Sequence, residues 1–155
     1  MQRCFCYQIL ILLVTLCCAS CSGMLGDHSL GNNLSLLEGD RMEDKVIVYC
    51  SAKSVGVCKS GIYVVPTYER HYRDGNYAEY VEEAKSNGDW VIAKSVQIED
   101  KKENYWIISK DFNLDNCDKT NCDSIIQSNV IGPLDYSQFK TKQIELGINL
   151  QFDKD

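Results

Sequence analysis

The cysteines constrain this chain more than any other feature, because their placement decides in which compartment it folds. Nine are present in 155 residues. Cys4, Cys6, Cys17, Cys18 and Cys21 crowd the start, around the basic Met1-Gln2-Arg3 and the apolar run Ile9-Leu10-Ile11-Leu12-Leu13-Val14-Thr15-Leu16. That run falls short of the about 20 apolar residues a permanent transmembrane helix needs. It has the length of the apolar centre of a cleaved export signal. Ala19-Ser20 then lead into Cys21, as in a lipoprotein signal whose cysteine thiol receives diacylglycerol, although Cys18 stands where Leu or Val is usual. The expectation is a signal peptide over 1–20 and an acylated Cys21. Its acyl chains would hold the mature chain on a bilayer of a bacterial cell envelope, each buried methylene contributing about 0.8 kcal/mol.

An exported chain folds under oxidising conditions, so the remaining Cys50, Cys58, Cys117 and Cys122 are expected to pair. Four cysteines allow three pairings. The short-loop set, Cys50–Cys58 with Cys117–Cys122, is favoured because each bridge then closes a polar loop between elements. In the chain-entropy picture each contributes roughly 2–3 kcal/mol. Zinc is the rival use, but the spacings are Cys-x7-Cys and Cys-x4-Cys rather than the Cys-x2-Cys of zinc ribbons.

Removing residues 1–20 takes away one charge, Arg3, and leaves 15 basic against 22 acidic residues. A surface so acidic repels nucleic acid and gives no electrostatic hold on anionic lipid. It suits a basic protein partner. The 135 residues left suffice for one domain.

Residues 22–33, small and polar with three glycines, read as a flexible tether, giving 21–33 as tether and 34–155 as the domain. Strands are expected at Leu34–Leu37, Lys45–Cys50 and Ile62–Val65, the last two forming a hairpin tied by the first cysteine pair. A helix is expected after Asn76, with Glu79 at capping-box spacing and Tyr77, Tyr80, Val81 and Ala84 on one face, stopped by Asn87-Gly88. Trp90–Ala93 and Tyr105–Ile108 make a second hairpin, apolar on both faces and therefore covered on both. Residues 111–123 read as a polar loop, and 130–134 as a short strand. Asp135 caps a last helix through Leu146, and Ile148, Leu150 and Phe152 alternate as a closing strand. The sum is an α+β domain: an antiparallel sheet of five to seven strands with two amphipathic helices, one central and one near the C-terminus.

Tyr105-Trp106-Ile107-Ile108, Ile131-Gly132-Pro133-Leu134, Phe139, Lys142 and Leu146-Gly147-Ile148 resemble the C-terminal signature of small bacterial lipoproteins, known as domains of unknown function. The cysteine-rich leader is similar to those of the Bacteroides group. The resemblance spans 89–148. It implies an exported, lipid-anchored protein and assigns no catalytic residue.

Three patterns bear on chemistry. His28 and His71 lack a nucleophile-elbow or HExxH context, so no enzyme activity and no cofactor is expected. Asp111, Asn113 and Asp115 alternate like the start of a calcium loop, but Cys122 stands where the bidentate Glu belongs, and an ordinary Asx turn is favoured. Tyr63, Tyr68, Tyr72, Tyr77 and Tyr80 lie close in sequence with Arg70 and Arg73 among them. Tyr and Arg dominate the energetic centres of interfaces, so Tyr68, Arg70, Tyr72 and Arg73 are the expected partner surface. The functional expectation is a membrane-tethered, non-enzymatic protein-binding module, in one version an immunity or inhibitor protein. A structural subunit of an envelope complex and an unrecognised hydrolase are the alternatives.

Overall fold

The computed structural model describes residues 27–54, 56–66, 78–114 and 117–153. They form an α+β arrangement of two helices and eight strands in two antiparallel four-stranded sheets, more strands than the sequence suggested and two sheets rather than one. The first sheet is β1 (Asp27–Gly31), β2 (Leu34–Leu37), β3 (Val46–Ser54) and β4 (Val57–Val65), paired in that order. The second is β5 (Glu79–Ser86), β6 (Trp90–Gln97), β7 (Glu103–Ser109) and β8 (Val130–Leu134), again in chain order. Helix α1 (Lys119–Ser128) lies between β7 and β8, and α2 (Tyr136–Glu145) follows β8.

Strand alternation sorts the apolar residues into layers. Leu30, Leu34, Leu36, Ile47, Val64 and Val65 of the first sheet share one core with Val81, Val91, Ala93, Trp106 and Ile108 of the second, closed by Ile126 of α1. The other face of the second sheet carries Ile92, Tyr105 and Ile107, which pack with Phe139 of α2 and with Ile148. The second sheet is therefore covered on both faces, as its doubly apolar strands require. Helix α2 starts with a full capping box: Asp135 accepts from Gln138 N–H at 2.8 Å and Gln138 Oε1 accepts from Asp135 N–H at 3.1 Å.

Three expectations are corrected. The central helix is strand β5. Its Tyr80 and Val81 are both buried, at 7% and 0%, because consecutive strand residues point to opposite faces of a sheet that is covered on both; a bulge follows between Val81 and Glu83. Glu79, expected in a capping box, instead accepts from Ser95 and Asn104. The proposed tether is in part strand β1, and Leu30 is buried at 6%. Gly31, Asn32 and Asn33 have φ of 86°, 47° and 59°, so they form a tight turn of the left-handed kind that Gly and Asn favour. The segment 148–153 is no strand. It lies along α2, where Ile148 N–H donates to Gln143 O at 2.9 Å and Leu150 O accepts from Gln143 Nε2 at 2.8 Å.

Candidate functional site

The cysteines pair as the short-loop scheme has it. Cys50 and Cys58 are bridged with Cα atoms 5.5 Å apart, and Cys117 and Cys122 with Cα atoms 5.3 Å apart, both within the disulfide range. The second bridge joins the residue before the α1 N-cap to the helix's first turn. There Asp118 caps by accepting from Asn121 N–H at 2.8 Å.

The first bridge shapes a surface. Three irregularities in the β3–β4 ladder, at Ile47/Val48, Cys50/Ala52 and Ala52/Lys53, bend the far half of the hairpin. Gly61 allows the close approach, since a Cβ there would stand 2.5 Å from Tyr49 O. The bend brings Cys58 N–H to the carboxylate of Asp27, although Asp27 is on β1 and Cys58 on β4, at opposite edges of the sheet in pairing order. The arm thus folds back across the outer face of its own sheet. Beneath it Val46, Val48 and Cys50 are buried at 3–4%, packed with Leu37 and Cys58. A depression of about 200 Å³ remains, lined by Leu37, Val48, Cys58, Lys59, Ser60, Gly61 and Tyr63, and Tyr63 is 41% exposed. An exposed tyrosine beside an apolar floor on a covalently braced hairpin has the composition of an interface centre.

Of the expected site residues, Cys21, Tyr68, Arg70, Tyr72 and Arg73 lie outside the described residues, as does Asp115. Of the five clustered tyrosines, Tyr80 is core and Tyr63 is surface. Asp111 N–H donates to Ser109 Oγ at 3.2 Å, the local bond of a polar turn. Among the described residues no three His, Cys, Asp or Glu side chains converge as metal ligands. His28 sits on β1, 3.5 Å from Glu38, whose carboxyl the hydrogen bond from Lys45 holds below its usual range.

A buried polar chain joins the second sheet's inner face. Trp106 Nε1–H donates to Ser95 Oγ at 2.6 Å. The Ser95 hydroxyl donates to Glu79 Oε1 at 2.5 Å, and Asn104 Nδ2–H to the same oxygen at 2.9 Å. Ser95 is 0% exposed, so its hydroxyl meets no solvent-borne substrate, and the network is a structural one. Ser95→Ala leaves the indole N–H without its acceptor and Glu79 with one donor fewer. A loss of about 2–3 kcal/mol in urea unfolding is expected, because buried polar groups left unmatched cost that much. A loss below about 0.5 kcal/mol would show that water takes the hydroxyl's place.

Comparison of the chain with protein-family models, with curated proteins and with solved structures finds no match in any of the three. No helix among the described residues is long and apolar enough to cross a membrane.

Proposed function

We propose that this is an exported, lipid-anchored, non-enzymatic module that binds a basic protein partner at a bacterial cell envelope. The observation that carries the reading is the fate of the cysteines. All four that follow Cys21 are paired with one another, which fits an oxidising compartment. Cys21, placed after Ala19-Ser20, then has no partner left beyond the leader and is available for acylation. The excess of acidic residues supports a basic partner, and the braced hairpin, with Tyr63 exposed beside an apolar floor, offers a preorganised surface for a protein contact. Capture of a toxin or enzyme, as an immunity or inhibitor protein does, is the concrete form of this role.

Cys21→Ser tests the anchor. The wild-type chain is expected to take up labelled palmitate and enter the detergent phase, and the variant to do neither. A wild-type chain whose mass retains Met1 and carries no acyl group would remove the reading. Partner capture is checked separately, by comparing proteins recovered from solubilised envelopes with wild type and with Tyr63→Ala. The expected result is loss of one basic protein.

A further inference from the structure

The negative charge of the chain is unevenly spread. Residues 45–68, which include the braced hairpin, hold three lysines and no aspartate or glutamate. Lys45 meets Glu38 at 3.0 Å, and elsewhere Lys94 meets Glu82 at 2.5 Å and Lys142 meets Glu145 at 2.6 Å. Lys53 and Lys59 differ. Both are exposed, and neither is ion-paired with a described residue. They stand together, because Lys53 is the ladder partner of Cys58 and Lys59 follows Cys58. The Cys50–Cys58 bridge and the bond from Cys58 N–H to the Asp27 carboxylate fix that point of the arm. The carboxylates on this side are committed: Asp27 to that N–H, and Glu38 to Lys45 and His28. Asp27 matters for a second reason. It opens β1 and stands only six residues after Cys21. Six residue steps span at most about 22 Å. An acylated Cys21 therefore keeps Asp27, and with it Cys58, Lys53 and Lys59, within that reach of the bilayer that takes its acyl chains.

Charge and distance decide what meets these two lysines. A basic protein is repelled by them. A lone phosphate ion needs a cradle of N–H donors, and the N–H of Cys58 is already given to Asp27. A layer of anionic headgroups needs no cradle, since it presents many phosphates within one Debye length, about 8–10 Å. We propose that the braced hairpin is a second membrane contact, in which Lys53 and Lys59 lie against anionic phospholipid headgroups of the bilayer that anchors Cys21. The domain is then held on its membrane in one orientation. This contact rests on the acylation of Cys21. It also reverses, at one point of the surface, the expectation from total charge that anionic lipid finds no hold. Each lysine at such a surface is expected to shift the balance between docked and undocked about fivefold. The lysines carry the contact, and the comparison of wild type with Tyr63→Ala leaves them in place.

The test uses the protein purified from envelopes, with the state of Cys21 read from its mass. It is added to vesicles of phosphatidylcholine alone or of phosphatidylcholine with phosphatidylglycerol. A membrane-impermeant amine-acetylating reagent then reports the accessibility of each lysine by peptide mass spectrometry. Lys53 and Lys59 are expected to react about tenfold more slowly on the anionic vesicles than on the neutral ones, and to recover when salt is raised from about 50 to about 500 mM. Lys101 and Lys102, exposed and set among Glu99, Asp100 and Glu103, are the internal reference and are expected to react alike on both. Lys53→Gln is expected to return most of the lost reactivity to Lys59, and Lys59→Gln to Lys53. An unmodified Cys21 would remove the anchor and this contact with it. An acylated chain whose Lys53 and Lys59 react equally on both vesicles would remove the contact alone. The proposal falls equally if the protection persists at high salt, extends to Lys101 and Lys102, or arises only when another envelope protein is added, which would make a protein the occupant.

Discussion

Gly132→Ala is expected to lose about 4 kcal/mol of stability, enough to leave a small domain largely unfolded at 37 °C. Gly132 sits in β8 with φ of +149°, outside the range that side chains tolerate. A Cβ there would stand 2.5 Å from Cε3 of the Trp106 indole and 2.9 Å from Tyr105 O. Neither neighbour can yield. The indole is 4% exposed and its N–H is committed to Ser95, while the carbonyl belongs to the central strand β7. Overpacking and backbone strain each cost about 1–3 kcal/mol, and here they act on the same atom. Gly88→Ala is the control. Nothing lies within 4 Å of its Cβ position and its φ is not left-handed, so a change within about 0.5 kcal/mol is expected. Urea unfolding of the two variants beside wild type decides it. Equal midpoints would mean that β8 is not held against Trp106.

The same residues show what could be read from the sequence. Strands with plain alternation or continuous apolar runs were legible: Val46–Val48, Val91–Ala93 and Tyr105–Ile108 all stand in sheets. The α2 cap was legible too, because Asp135 and Gln138 have no other use. Strand β5 was not. Cover on both faces buries the consecutive Tyr80 and Val81, and the bulge returns Ala84 to the face of Val81, so spacings of one and three imitate one face of a helix. Helix α1 was hidden for the opposite reason. Among its described side chains Ile126 alone is buried, so no apolar stripe announced it. The signal present was Asp118 three residues before Asn121, a cap without the usual apolar run behind it.

Candidate surfaces were less legible than elements, since they arise from contacts distant in sequence. The bridge between Cys50 and Cys58 could be inferred from spacing. The fold-back of the hairpin could not, because it depends on Asp27 reaching Cys58 from 31 residues away. Likewise the lack of acidic residues over 45–68 is plain in the sequence, while the nearness of Lys53 and Lys59 to Asp27 comes only from that fold-back. The composition-based tether reading of 22–33 fails over its described part, 27–33, on a related point. Glycine and asparagine are common both in linkers and in left-handed turns, and only the pairing of Leu34 with Gly31 tells the two apart.

Phe139→Ala is the second large effect, at about 3–5 kcal/mol, the range for deleting a fully buried aromatic ring. Phe139 is 1% exposed and joins three separate pieces of chain. Its ring stacks at 5.2 Å on Tyr105 of β7 and at 5.7 Å on Phe152 of the C-terminal segment, while its own helix, α2, carries it. Little else fastens that helix. Its other buried residue is Gln143, and Ile144 is 81% exposed. Loss of the ring therefore releases α2 together with the segment 148–153 before it disturbs the core between the sheets. Burial, with the Tyr105 hydroxyl bonded to Glu103 at 2.5 Å, pushes the phenol's pKa up in the native fold. Opening this layer is expected to bring its titration back toward that of free tyrosine. Hydrogen exchange is the deciding measurement. Amides of 136–152 are expected to lose protection at low denaturant while those of Val91, Ala93, Trp106 and Ile108 keep theirs. If all of them opened together, the outer layer and the inner core would form one cooperative unit, and Phe139 would be part of the fold's centre rather than the clamp of one face.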